Sequence, residues 1–456
     1  MTRIFLLVFL SLLQLKWSYG GIIEERFLNS TTHLIKFITS GDQLNSGLKW
    51  LEPLVDDFGN RMLCTKRLEN AIDYTYKGLL KDNFDNVHTQ SVHHLPHWIR
   101  GNDQVHLLEP RRLPLSILSI AGIDPSNITA EAVVIENFDD IDNLDIRGKI
   151  VVFAQKWTGY FEDLKYRKAS DKIKKLGGVG LLAKSVGPFS IGSAHTGQGS
   201  DEHLPAASLT MEEADLLQRL SRRGKKLKLN MNIKSRNLGT CTSKNVIFDI
   251  KGTEKPDEVV LLSGHIDSWD LGQGALDDGG GMAAVWQAMK ALQTLAKTDK
   301  SFKPKRTIRG IFWTAEEQGF YGAKAYYEAH KNSSEKFIFV SETDQGAFRP
   351  TTMDSFLRFK GNSTHRARLQ EIVELLNANG IPLSIKEGPQ QGDVQSWADD
   401  GVPSINYVAE KGIDFYFYFH HTTGDYLNIF KEGDIDYTAA ILATLAHVLA
   451  NQDSWL

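Results

Sequence analysis

The C-terminal half of the chain alternates short apolar runs with longer segments of helical period. Residues 259–262, 307–313, 337–341 and 403–407 are mainly apolar runs too short for helices. They predict strands buried on both faces. Residues 281–295, 322–329, 365–379 and 435–450 predict the helices between and after them. In the third of these, Leu369, Ile372, Val373 and Leu376 share one face and Gly380 supplies the stop. Strand and helix in regular alternation predict an α/β fold with a mainly parallel sheet flanked by helices.

Upstream the texture changes. Residues 148–153, 179–183 and 204–209 read as strands. Residues 168–175 read as a helix stopped by Gly177 and Gly178, and 211–220 as a short amphipathic helix. A second, smaller α/β unit over residues 127–240 is expected. Residues 21–126 mix a helical stretch, with Trp50, Leu51, Leu54 and Val55 on its apolar side, and a polar middle. They read as an N-terminal part of the main unit, their first residues a candidate propeptide. Residues 241–456 form the rest of that unit.

The first twenty residues have a different use. A cationic start, the apolar run 4–15 and a small-residue end at 18–20 match a secretory signal. The run is short of the roughly 20 residues that a membrane span needs. The remainder is expected to carry no membrane anchor. Sequons at Asn29, Asn127, Asn332 and Asn362 agree with export. Export is compatible with extracellular fluid, a lysosome or the secretory lumen.

A net charge of −4 argues against nucleic acid as a partner, and the basic run 222–228 reads as a solvated loop. Cys64 and Cys241 are compatible with one disulfide or with two free thiols. Two cysteines are too few for a thiolate metal cluster, so a bound metal would rest on His and carboxylate.

Such residues recur just beyond strand ends, where open α/β sheets gather ligands. His265 and Asp267 follow the run 259–262. In that spacing the His ring can bind a metal while a carboxylate steadies it. Asp277 and Asp278 precede three glycines and open a helix, so one can bridge cations and the other cap. Glu316 and Glu317 leave the run 307–313, and adjacent acids after so apolar a strand are costly without a cation. One can bind metal while the other takes a proton from water. Asp344 follows the run 337–341, with Glu342 as a competitor. His420 and His421 lie in an aromatic stretch that ends at Asp425.

Taken in order, His265-x-Asp267, Asp277, Glu316-Glu317, Asp344 and His421-Thr422-Thr423-x-Asp425 resemble the M28 family of di-zinc exopeptidases. The smaller unit resembles a protease-associated domain, which in that family shapes access to the site. The resemblance implies two zinc ions per chain. His265 and Asp344 would hold one and Glu317 and His421 the other, with Asp277 between them. Asp267 would steady His265, and Glu316 would be the general base. His421 is preferred to His420 because the family's ligand precedes Ser or Thr and stands four residues before an acid. The resemblance also implies small peptide substrates, unblocked dipeptides among them, and a homodimer. Residues 393–397 align with a substrate-facing loop, and the polar loop 298–305 is a candidate for the site rim. Rival readings are an aminopeptidase on longer peptides, a single-zinc glutaminyl cyclase, and a catalytically inactive binding module of the same fold.

Overall fold

The computed structural model describes residues 22–200 and 204–453; the expected signal segment lies outside the described residues. The main sheet has eight strands: β1 (Asp85–Ile99), β2 (Arg236–Ile250), β3 (Lys255–His265), β4 (Arg306–Trp313), β5 (Lys336–Glu342), β6 (Phe356–Lys360), β7 (Ser384–Glu387) and β8 (Ser404–Val408), in the order β1-β2-β4-β3-β5-β8-β6-β7. β4, β3, β5 and β8 are mutually parallel. β1 and β2 pair antiparallel, as do β2 with β4 and β6 with β8. The sheet is therefore mixed rather than mainly parallel, because the flanking strands escape an apolar-run reading. β1 is half exposed and carries four histidines, and β6 and β7 are short and charged.

Successive side chains in the middle of the sheet point to opposite faces, as the two-residue strand period requires. Val260 and Leu262 join the larger core, and Leu261 joins a smaller one with Trp313, Tyr326 and Trp397. The larger face is covered by the helices Gly280–Thr298 and Asp434–Asn451, with Ile22–Thr39 and Ser46–Phe58 packed outside them. Both covering helices are apolar almost all round, as expected of helices with neighbours on every side. No helix among the described residues is long and apolar enough to cross a membrane.

A second eight-stranded mixed sheet uses residues 104–233 and closes over its own core, including Val151, Phe153, Leu181, Leu217 and Met231. The chain leaves the main sheet at Ile99 and re-enters at Arg236, and these two residues are paired in register. Arg100 then ties the units together. Its guanidinium binds both oxygens of Asp270, at 2.8 Å each, and donates to the Ser119 carbonyl and the Thr196 hydroxyl. Cys64 and Cys241 form a disulfide that joins the segment after helix Ser46–Phe58 to β2.

The topology fixes where a ligand goes. From β3 the chain crosses the larger face to β4 on one side, and from β4 it crosses the other face to β5 on β3's other side. A crevice opens at such a switch point, beyond the C-terminal ends of the strands. The loop 298–305 lies at the opposite end, before β4, against helix Ile22–Thr39. It forms no part of the site rim.

Candidate active site

His265 is the last residue of β3, fully buried, with its Nδ1 2.9 Å from the carbonyl of Asp267. That contact turns Nε2 outward into the crevice. There it stands 3.1 Å from Asp277 Oδ1, 3.4 Å from Asp344 Oδ1 and 3.8 Å from Glu316 Oε2. His421 Nε2 lies 2.9 Å from Glu317 Oε2 and 3.2 Å from Asp277 Oδ2. Asp277 thus faces both histidines, one with each oxygen. Ligand atoms of His265, Asp277 and Asp344, and those of Asp277, His420 and His421, gather within 4.8 Å of one another. All seven residues expected in the site come together.

Their supports differ from the expectation in one respect. The Asp267 carboxylate lies 3.8 Å from His265 Nδ1 and is spent on the next loop, accepting from the amides of Glu316 (3.1 Å) and Glu317 (3.4 Å). It aims the two glutamates, while its carbonyl aims the histidine. Asp278 accepts from the amides of His265 and Gly281, both at 3.1 Å, and so caps the helix behind the site. Asp425 accepts from the amides of Leu276 (2.6 Å) and Asp277 (3.2 Å). Glu342 is buried, accepts from the Asp393 amide and Asn406, and takes no place among the crevice carboxylates. Asp393 is buried beside it, and Trp397 packs on the far face of the sheet against Trp313. The loop expected to meet substrate reaches the cleft through Gln391 and Gly392 instead.

Electrostatics set the demand for a cation. Burial raises the Glu316 pKa well above the usual carboxylate range, and repulsion from Asp344 and Glu317 adds to the effect against the pull of His265. Burial also raises that of Asp344, to about 8, with Asp277 and Glu342 repelling it. Asp277 alone is held well below its ordinary value. Burial opposes this, but hydrogen bonds from His265 and His421 prevail. One oxygen of Glu317 is buried with no hydrogen-bond partner. Carboxylates crowded like this are stable when a metal ion sits among them, and an oxygen and nitrogen set suits zinc. The residues fit the expected metal.

A pH dependence follows for the metal-free protein. Carboxyls with raised folded pKa stabilise the fold while protonated, and that contribution is lost as they ionise. For Asp344 the window runs from 3.8 to about 8. The melting temperature of metal-free protein should therefore fall as pH rises through this window, and added metal should abolish the fall. A flat metal-free profile would contradict the burial argument.

The family model "Peptidase family M28" matches residues 245–446. Carboxypeptidase Q from Mus musculus is 37% identical over 433 residues, 93% of this chain and 89% of that one. The protein from Bos taurus is 35% identical over 449 residues, 96% of this chain and 91% of that one. This chain belongs to peptidase family M28. A solved peptidase M28 precursor from Shewanella amazonensis superposes with a TM-score of 0.85 at 27% identity, over 94% of this chain and 97% of that one. The chain is accordingly a metallopeptidase of the carboxypeptidase Q type.

Some parts of this M28 site leave no trace in its motifs. Thr196, from the second unit, donates its amide to the His421 carbonyl at 2.9 Å, and its own carbonyl lies 3.2 Å from His421 Nδ1. Tyr160 meets His420 edge-on and Phe417 face-on. Arg61 is wholly buried, and its guanidinium donates to the carbonyls of Ile266 (2.6 Å), Gln273 (2.9 Å) and Gly274 (2.8 Å). It clamps the loop leaving β3 to the loop that delivers Asp277. Arg61→Met should cost about 3 kcal/mol, since buried carbonyls lose their donors. It should also weaken metal binding on the order of 10- to 100-fold, as loss of ligand supports does. Urea denaturation and metal titration read the two effects; unchanged values in both would remove Arg61 from this role.

Proposed function

We propose that the protein is a secreted di-zinc exopeptidase that hydrolyses small peptides, with unblocked dipeptides as preferred substrates. The observation that carries this is Asp277, whose two oxygens face His265 on one side and His421 on the other. In this reading His265 and Asp344 hold one zinc, Glu317 and His421 hold the second, and Asp277 lies between. Zinc bound there supplies Lewis-acid polarisation of the scissile carbonyl and makes water a better nucleophile.

The protein's own groups do the rest. Glu316 has no protein hydrogen bond to its carboxylate among those described, and Oε2 points into the crevice 3.8 Å from His265. It takes a proton from the attacking water as the new C–O bond forms. It then gives that proton to the leaving amine as the C–N bond breaks. Asp267 holds Glu316 in place through its amide. Tyr160 and Phe161 wall a cleft of about 240 Å³. That is small against the ~300–1,000 Å³ of ordinary ligand pockets, which favours short peptides.

The second unit acts in this scheme as a protease-associated domain, and the enzyme as a homodimer. Secretion accords with the N-terminal signal pattern, the disulfide and four sequon asparagines that all stand exposed. A panel of dipeptides and longer peptides, free and N-blocked, tests the substrate reading. Faster cleavage of longer free peptides would make the enzyme an aminopeptidase instead.

A further inference from the structure

The cleft holds a guanidinium that the reaction scheme does not use. Arg358 lies on β6, opposite Asn406 of β8, and Asn406 in turn pairs with Glu342 of β5. Two strand spacings of ~4.8 Å therefore set Arg358 about 10 Å across the sheet from the strand that leads to Asp344. Arg358, Asn406 and Asp344 all line the same cleft.

Arg358 is half-buried, and its guanidinium rests near the rings of Phe161 (5.9 Å) and Phe356 (6.0 Å). Among the described residues it has no carboxylate partner, and burial alone shifts its pKa, downward. The neighbouring Arg167 differs in that its two terminal nitrogens already donate to the Thr196 carbonyl and the Tyr160 hydroxyl, leaving only its buried Nε without a partner. Arginine stays charged in proteins, and a partly desolvated charge without a counter-ion is costly until an anion reaches it. An extended dipeptide spans roughly 7 Å, so with the arginine's own reach it bridges this gap.

We propose that Arg358 is a specificity-determining residue that binds a carboxylate of the substrate peptide, across the cleft from the metal-bearing strand. The inference rests on the peptidase reading above and names the group that positions the peptide. That carboxylate is either the free C-terminus or an acidic side chain, and the guanidinium fork suits both.

The test compares wild type, Arg358→Met and Arg358→Lys on Ala-Ala, Ala-Glu and Ala-Ala amide. Calorimetry follows Ala-Ala and Ala-Glu binding to zinc-loaded Glu316→Gln with and without Arg358→Met. If the terminus is bound, the preference for Ala-Ala over its amide should fall on the order of 10- to 100-fold in Arg358→Met, mainly through KM, with Arg358→Lys recovering part. If the side chain is bound, the same loss falls on the preference for Ala-Glu over Ala-Ala. Calorimetric affinity should drop in parallel. Both preferences and both affinities staying within about twofold of the parent overturns the proposal. A wild type that hydrolyses none of the three peptides counts against the peptidase reading, and the calorimetry still decides Arg358.

Discussion

Glu316→Gln should lower kcat by roughly 10³-fold and leave zinc content at the wild-type value, because a positioned general base contributes ~10²–10⁴-fold. The substitution keeps size and shape and removes only the capacity to take a proton. The amide of residue 316 still reaches Asp267, so the neighbouring Glu317 keeps its aim. Burial, together with Asp344 and Glu317, pushes the Glu316 pKa up in the metal-free protein. Cations in the site oppose that push and return the group toward a base that works near neutral pH. Metal analysis beside steady-state kinetics separates the possibilities. Retained turnover would take the base role away from Glu316, and lost zinc would make it a ligand instead.

If the chain holds the two zinc ions proposed, Asp277→Asn should reduce them to less than one per chain and abolish measurable turnover. Each Asp277 oxygen meets a different histidine, so one substitution weakens both positions together. A ligand specific to one position, such as Asp344, should cost one ion when replaced by Asn. Zinc binding to the native state alone stabilises it by about 3–4 kcal/mol at 100- to 1,000-fold excess over Kd. Asp277→Asn should therefore melt at the same temperature with and without added zinc, while wild type gains. Full zinc occupancy in Asp277→Asn would show that the two positions do not share this carboxylate.

The strands that bear the site were legible because both their faces are buried. β3, β4 and β5 leave mainly apolar runs, broken in β4 by Arg309, and each of His265, Glu316 and Asp344 stands at or just past such a run. The outer strands were not legible. β1 shows water one edge and spreads histidines and serine among its few buried positions, and β6 is only five residues long with two of them, Arg358 and Lys360, charged. The residues that gather in the crevice were legible as an ordered set, whereas their supports were not. Thr196 touches His421 across 225 positions of sequence, and Arg61 touches Ile266 across 205. Neither is marked by its neighbours, since a threonine in a polar loop and an arginine before a methionine are ordinary. The role of Asp267 was half legible. Its spacing from His265 suggested a carboxylate contact, but the backbone carbonyl does that work and leaves the carboxylate for the glutamate loop.

The excursion that begins at Ile99 and returns at Arg236 also bears on how the chain comes to life. During synthesis His265 and Asp277 emerge long before His421, and His421 is contacted by Thr196 of a unit made earlier still. A fragment that stops short of residue 421 lacks one of the five proposed metal-binding residues, and one that lacks residues 100–235 loses the Thr196 contacts to the His421 backbone and Nδ1. The proposed five-residue set is therefore complete only once the chain has been made past residue 421, with the second unit already behind it in sequence.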